Sequence, residues 1–228
     1  MKWAAAAVHL FTSLGAVCAL FATLAIMDKA PEAVFFWLGT ALFIDGIDGM
    51  FARWANVAGR LPRFSGERLD LVVDYVTYVF VPVLALLAWH FLDGIAGRVL
   101  AALILLSSLY HFADTESKTG DNCFVGFPAI WNIVAFYVFA FGLSSGATAW
   151  LVIAAVLATF VPVPWVHPWR VTAYRGLTVL ASAAFAISAA LTLAHGFPAT
   201  PANATILLAV AAYGAGLSLY WYIRKSDS

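Results

Sequence analysis

Polar residues are sparse along this chain, and between them the sequence runs apolar for about 20 residues at a time. A helix rising about 1.5 Å per residue needs roughly 20 such residues to cross a bilayer's hydrocarbon core. The pattern predicts eight spans, near residues 4–26, 33–53, 66–91, 95–113, 123–143, 147–164, 173–194 and 203–223. Runs of this length do not suit the roughly 9–11-residue strands of outer-membrane barrels, so an all-α polytopic membrane protein is expected. The first run is longer than the roughly 7–15-residue core of a signal peptide and is read as a retained helix. Connections are short and no internal repeat is visible, which suggests one integral membrane domain over residues 1–228.

Composition agrees with the pattern. The chain is 64% hydrophobic and 11% charged, with a mean hydropathy of +0.92; soluble domains carry about 25% charged residues. A formal net charge of zero gives no sign of a nucleic-acid partner. Cys18 and Cys123 lie in or beside apolar segments and read as small hydrophobes rather than a disulfide or metal pair.

Charge placement sets the expected orientation. With the N-terminus inside, the cytoplasmic segments hold Lys2, Arg53, Arg60, Arg63, Arg68, Lys118, Arg170, Arg175, Arg224 and Lys225, and the opposite face holds only Lys29 and Arg98. The basic excess on one side places both termini in the cytoplasm.

Against this background residues 45–74 stand out. Four of the chain's twelve acidic residues, Asp45, Asp48, Asp70 and Asp74, fall there at helical spacing. At about 100° per residue, Asp45, Asp48, Gly49 and Ala52 share one face of the second helix. Gly66, Asp70 and Asp74 share one face of the third. An aspartate within a membrane helix costs roughly 2.5–3.5 kcal/mol, and clustered carboxylates repel one another. Divalent cations resolve the conflict, because several carboxylate oxygens at close quarters suit Mg²⁺ or Mn²⁺. Gly49, Ala52 and Gly66 leave room for a ligand near the backbone, and Arg53 offers a positive charge to a phosphate. The plainer alternative is that these acids pair with Arg53, Arg60, Arg63 or Arg68 at the membrane surface. Four acids at this spacing favour a functional site.

The string D-x2-D-G-x2-A-R-x12-G-x3-D-x3-D, from Asp45 to Asp74, resembles the signature of the CDP-alcohol phosphotransferase family, integral membrane enzymes that join a CDP-linked lipid to an alcohol and release CMP. The twelve residues between Arg53 and Gly66 make a longer gap than in most members. That gap, with HLFTSLG at 9–15, KTGDNCFVGFPAIWN at 118–132 and FVPVPWVHPWRV at 160–171, looks most like the bacterial phosphatidylcholine synthases. The resemblance implies transfer of a phosphatidyl group from CDP-diacylglycerol to choline, releasing CMP, at the cytoplasmic side of a bacterial inner membrane. It implies two ions, Mn²⁺ or Mg²⁺, held by Asp45, Asp48 and Asp70, with Asp74 as a further ligand and candidate general base. It places Gly49, Ala52, Arg53 and Gly66 against the CDP moiety, with Thr12 as a further candidate, and it suggests a homodimer.

Choline's quaternary ammonium has no proton to donate, so aromatic faces and carboxylates are expected around it. Tyr75, Tyr78, Trp131 and Asn132 are the leading candidates, among cytoplasmic-side aromatics that also include Tyr110, Phe124, Trp165, Trp169 and Tyr174. Such rings also belong to ordinary interfacial belts. His111 and His167 are weighed as extra metal ligands, but the aspartates suffice without them. Arg170 and Arg175 are candidates for a lipid phosphate or the diphosphate. Pro162, Pro164 and Pro168 should end the sixth helix. Two alternatives remain open. One is another acceptor alcohol, such as serine, glycerol phosphate or inositol phosphate. The other is a non-enzymatic cation transporter, which would spread acids across several helices rather than confine them to one cluster.

Overall fold

The computed structural model describes residues 2–115, 123–161, 164–166 and 174–226. Its elements in chain order are α1 (Lys2–Met27), α2 (Pro31–Trp54), α3 (Val57–Arg60), α4 (Gly66–Asp74), a π-helical segment (Tyr75–Phe80), α5 (Val81–Ala88), α6 (Gly94–Ala113), β1 (Cys123–Val125), α7 (Trp131–Phe141), α8 (Ser145–Thr159), β2 (Pro164–Val166), α9 (Arg175–His195) and α10 (Pro201–Ser226). Among the described residues, six helical stretches are long and apolar enough to cross a membrane, the third being the continuous run Gly66–Ala88. The protein is an all-α, multi-pass membrane protein.

The fifth and sixth expected spans are shorter than hydropathy suggested. Residues 123–143 become a three-residue strand, an irregular stretch and the 11-residue α7. Residues 147–164 become the 15-residue α8 and a strand that begins at Pro164. At 1.5 Å per residue these helices are about 16 and 22 Å long, less than the core of a bilayer. The backbone gives the reason. Gly126 and Ala129 have positive φ, 76° and 54°, and Pro128 between them disfavours helix at the residue before it. A β-carbon on Gly126 would lie 2.3 Å from the Thr159 carbonyl oxygen, so only glycine allows this approach to α8. The irregular backbone is satisfied from within the protein: Phe127 N–H donates to Ala158 O at 3.1 Å, and β1 pairs antiparallel with β2. Non-helical backbone at membrane depth requires that kind of protection.

The packed centre joins α2, α5, α6, α7 and α8 through Phe35, Leu86, Ile104, Trp131, Val138, Phe139 and Val152, all buried. Phe35 meets Phe136, Phe139 and Phe197 edge-on at 5.0–5.6 Å. Large apolar side chains such as Phe43, Leu106, Leu180 and Leu208 remain exposed, as suits contact with lipid tails. Association in lipid then rests on close packing rather than on the hydrophobic effect. Gly15 shows how close: a β-carbon there would stand 2.5 Å from Val73 Cγ1. That approach seats α4, with its two aspartates, against α1 and beside α2. Cys18 is buried and unbridged.

Candidate active site

Asp45 and Asp48 come from the second half of α2, and Asp70 and Asp74 from α4. Ser65 starts α4, its hydroxyl accepting from Arg68 N–H at 3.2 Å, which fixes the register on which Asp70 and Asp74 fall one turn apart. The helices bring Asp45, Asp70 and Asp74 together, with one carboxylate oxygen from each lying within 4.8 Å of the others, all half-buried. Three converging hard oxygen donors of like charge are the donor set that Mg²⁺ and Mn²⁺ take, so the residues present fit the expected cation.

Asp48 is oriented differently. It is buried, and its Oδ2 accepts from the Thr12 hydroxyl of α1 at 2.6 Å. This short bond to a carboxylate fixes Asp48 against α1, one turn along α2 from Asp45. Thr12 is thereby linked to the site through Asp48.

The π segment begins directly after Asp74. Pro82 explains it. A proline has no N–H to offer the carbonyl four residues back, and its ring crowds that carbonyl. The turn before it widens instead, with Val81 N–H donating to Val76 O, an i→i−5 bond. Thr77 Oγ1 bonds the Val73 carbonyl at 3.0 Å, helping to satisfy the loosened turn. Tyr78 lies four residues beyond Asp74, as Asp74 lies four beyond Asp70, and so stands on the same side of the chain. The Tyr78 hydroxyl donates to Asp45 Oδ2 at 2.5 Å.

The remaining candidates are placed as follows. The Arg53 guanidinium is exposed and lies over Gly49, with Nη1 3.5 Å from where a β-carbon would stand. Ala52 packs on Ala5, Val8, Ala55 and Val57. Gly66 is met by His9 of α1, whose Cε1 would be 3.3 Å from an added β-carbon. Tyr75 turns its hydroxyl to Leu105 O at 3.2 Å and its ring edge to Phe112. Trp131 is fully buried, its indole N–H donating to Ser108 Oγ at 2.9 Å, and Asn132 Oδ1 accepts from Ile133 N–H. His111 is buried. Arg175 opens α9 and is exposed. The candidates Arg170, His167 and Trp169, and the side chains of Phe124 and Trp165, lie outside the described residues. Sequence reasoning missed His9 and the hydroxyl link from Tyr78 to Asp45. Pro82 inside an apolar run was the available signal for the latter.

No protein-family model matches the chain. Individual proteins do. It is 43% identical over 211 residues to the phosphatidylcholine synthase of Bradyrhizobium diazoefficiens, covering 92% of this chain and 79% of that one. It is 37% identical over 222 residues to the phosphatidylcholine synthase of Pseudomonas aeruginosa, covering 96% and 92%. The chain belongs to the phosphatidylcholine synthase family. The similarity extends to Borreliella burgdorferi, whose phosphatidylcholine synthase is 30% identical over 172 residues, 75% of this chain and 74% of that one. Over 92% of its length, then, this family member aligns with a protein of the same kind, and the aligned portion is long enough to include both aspartate-bearing helices.

Proposed function

We propose that the chain transfers the phosphatidyl group from CDP-diacylglycerol to choline at the cytoplasmic side of a bacterial inner membrane. The observation that carries this reading is the convergence of Asp45, Asp70 and Asp74 within 4.8 Å in a chain of this family. In the reaction, the choline hydroxyl oxygen bonds to the lipid-side phosphorus. The bond from that phosphorus to the bridging oxygen breaks, and CMP leaves with that oxygen. The hydroxyl proton passes to Asp74, which stands at the junction of α4 and the π segment. A carboxylate within hydrogen-bond reach is suited to that task.

Asp45, Asp70 and Asp74 would hold Mn²⁺ or Mg²⁺, with Asp48 beside them. Such an ion, when bound, offsets charge on the diphosphate and on the departing CMP. Arg53, over the backbone of Gly49, and Thr12, through Asp48, line the approach for the nucleotide. Among the described residues, Tyr78 is a ring considered for choline whose side chain reaches a carboxylate of the cluster, and its face is the first place to look for the ammonium.

The test incubates purified protein with CDP-diacylglycerol, Mn²⁺ and a panel of alcohols, and follows CMP release. Release with choline well above that with serine, glycerol phosphate or inositol phosphate is the expected result. Release driven by one of the others would reassign the acceptor. Uptake of Mn²⁺ into vesicles without CMP release would favour the transporter.

A further inference from the structure

Two hydroxyls from different helices engage the two aspartates of α2. Thr12 holds Asp48 toward α1, and Tyr78 holds Asp45. The second contact is made from an unusual backbone. The π segment spans Tyr75–Phe80, and Pro82 at the start of α5 removes the α-type bond that would otherwise close that turn. π turns recur at functional sites, and this one sets a buried phenol against a half-buried carboxylate of the cluster.

We infer that Tyr78 is a positioning residue for Asp45: its hydroxyl fixes the orientation of the carboxylate that gathers with Asp70 and Asp74, and so sets the affinity of the site for its divalent cation. This rests on the metal-assisted reading above. A phenol is protonated at neutral pH and donates one hydrogen bond. A carboxylate has about four acceptor sites on its two oxygens, so accepting this bond uses one of them and fixes the plane of the group. Ligands held by outer partners bind more tightly because less rotational freedom remains to be lost on binding. The hydroxyl role differs from an ammonium-facing role of the same ring, which uses the π face and needs no hydroxyl.

Phenylalanine separates the two. Tyr78→Phe keeps the ring and removes the bond to Asp45. Mn²⁺ binding to the full-length protein in detergent, read from the loss of the free-ion electron paramagnetic resonance signal, should weaken roughly tenfold, at the lower end of the effect of losing an outer-shell partner. The Mn²⁺ concentration for half-maximal CMP release should rise in parallel, while the choline KM at saturating Mn²⁺ stays at the parental value. In an Asp45→Asn background the same substitution should have no further effect on Mn²⁺ binding, as expected for residues that act together. The melting temperature measured without metal checks that Tyr78→Phe folds; if it does not, Tyr78→Trp, which places a donor near the same position, should bind Mn²⁺ more tightly than Tyr78→Leu. Parental Mn²⁺ affinity in Tyr78→Phe, with binding lost in Asp70→Asn, would overturn this inference alone. No Mn²⁺ binding by the parental protein would overturn the metal reading and this inference with it.

Discussion

At its Pro31 end, α2 carries Glu32, whose Oε1 accepts from Phe197 N–H at 3.3 Å. Nearby, Lys29 caps the Ala88 carbonyl at 2.8 Å and lies over the Trp89 ring, and Asp93 is bonded by His90. Lys29, Glu32 and Asp93 thus each meet a partner on a neighbouring turn or helix. Further along the same helix, Asp45 is gathered with Asp70 and Asp74 within 4.8 Å. One end spreads its charges and ties connections together with them; the other concentrates three of one sign. Stability alone explains the first arrangement. Gathering three carboxylates raises their mutual repulsion, which a bound cation would offset, and the contrast between scattered and gathered acids is the physical case for a site.

The sharpest way to break the contrast is to remove a cluster carboxylate. Asp70→Ala should abolish Mn²⁺ binding and lower kcat/KM by at least about 10³-fold, ~4 kcal/mol, while Glu32→Gln leaves both near parental values. Equal losses from the two would show that the acid-rich end is no more functional than the other. Asp74→Asn should come next, with turnover down about 10²–10⁴-fold, the range for a positioned proton acceptor. CDP-diacylglycerol binding, followed by equilibrium dialysis, should persist. Near-normal CMP release would take Asp74 out of the proton-accepting role.

Thr12→Val sharpens the comparison within α2. It preserves shape but leaves a buried carboxylate without its hydroxyl, and bonds to charged groups contribute about 1.5–3 kcal/mol. The KM for CDP-diacylglycerol should rise about tenfold, with a lower melting temperature in detergent. An unchanged KM would separate Thr12 and Asp48 from the nucleotide.

The cluster was legible because i, i+4 spacing on a membrane helix is informative whatever the tertiary structure. What hydropathy could not carry is backbone detail. It read residues 123–143 as one span, although Gly126, Pro128 and Ala129 turn the chain out of helix and onto α8. Spacing puts Tyr78 one turn beyond Asp74 but does not say what its hydroxyl meets, because the bond to Asp45 depends on how α2 packs against that stretch. The division between Asp48 and the other three aspartates depends on where α1 packs, and no periodicity within α2 reports that.

The smallest effect belongs to the opposite end. The His90 ring, followed by the Gly94 backbone N–H, holds the exposed Asp93 carboxyl below its ordinary value. A depressed carboxylate contributes its stabilisation above its unfolded-state pKa, and the contribution fades as pH falls through the lower folded value. The window is therefore acidic, below about pH 4. His90→Ala should move the Asp93 titration back up, as read from its carboxyl carbon shift, and leave choline transfer at neutral pH unchanged. Both groups are solvent-exposed and three residues apart on the connection between α5 and α6, so screening keeps the consequence local. A change in choline KM or in Mn²⁺ affinity would mean that the two ends of the bundle are coupled, and the division of labour along α2 would have to be abandoned.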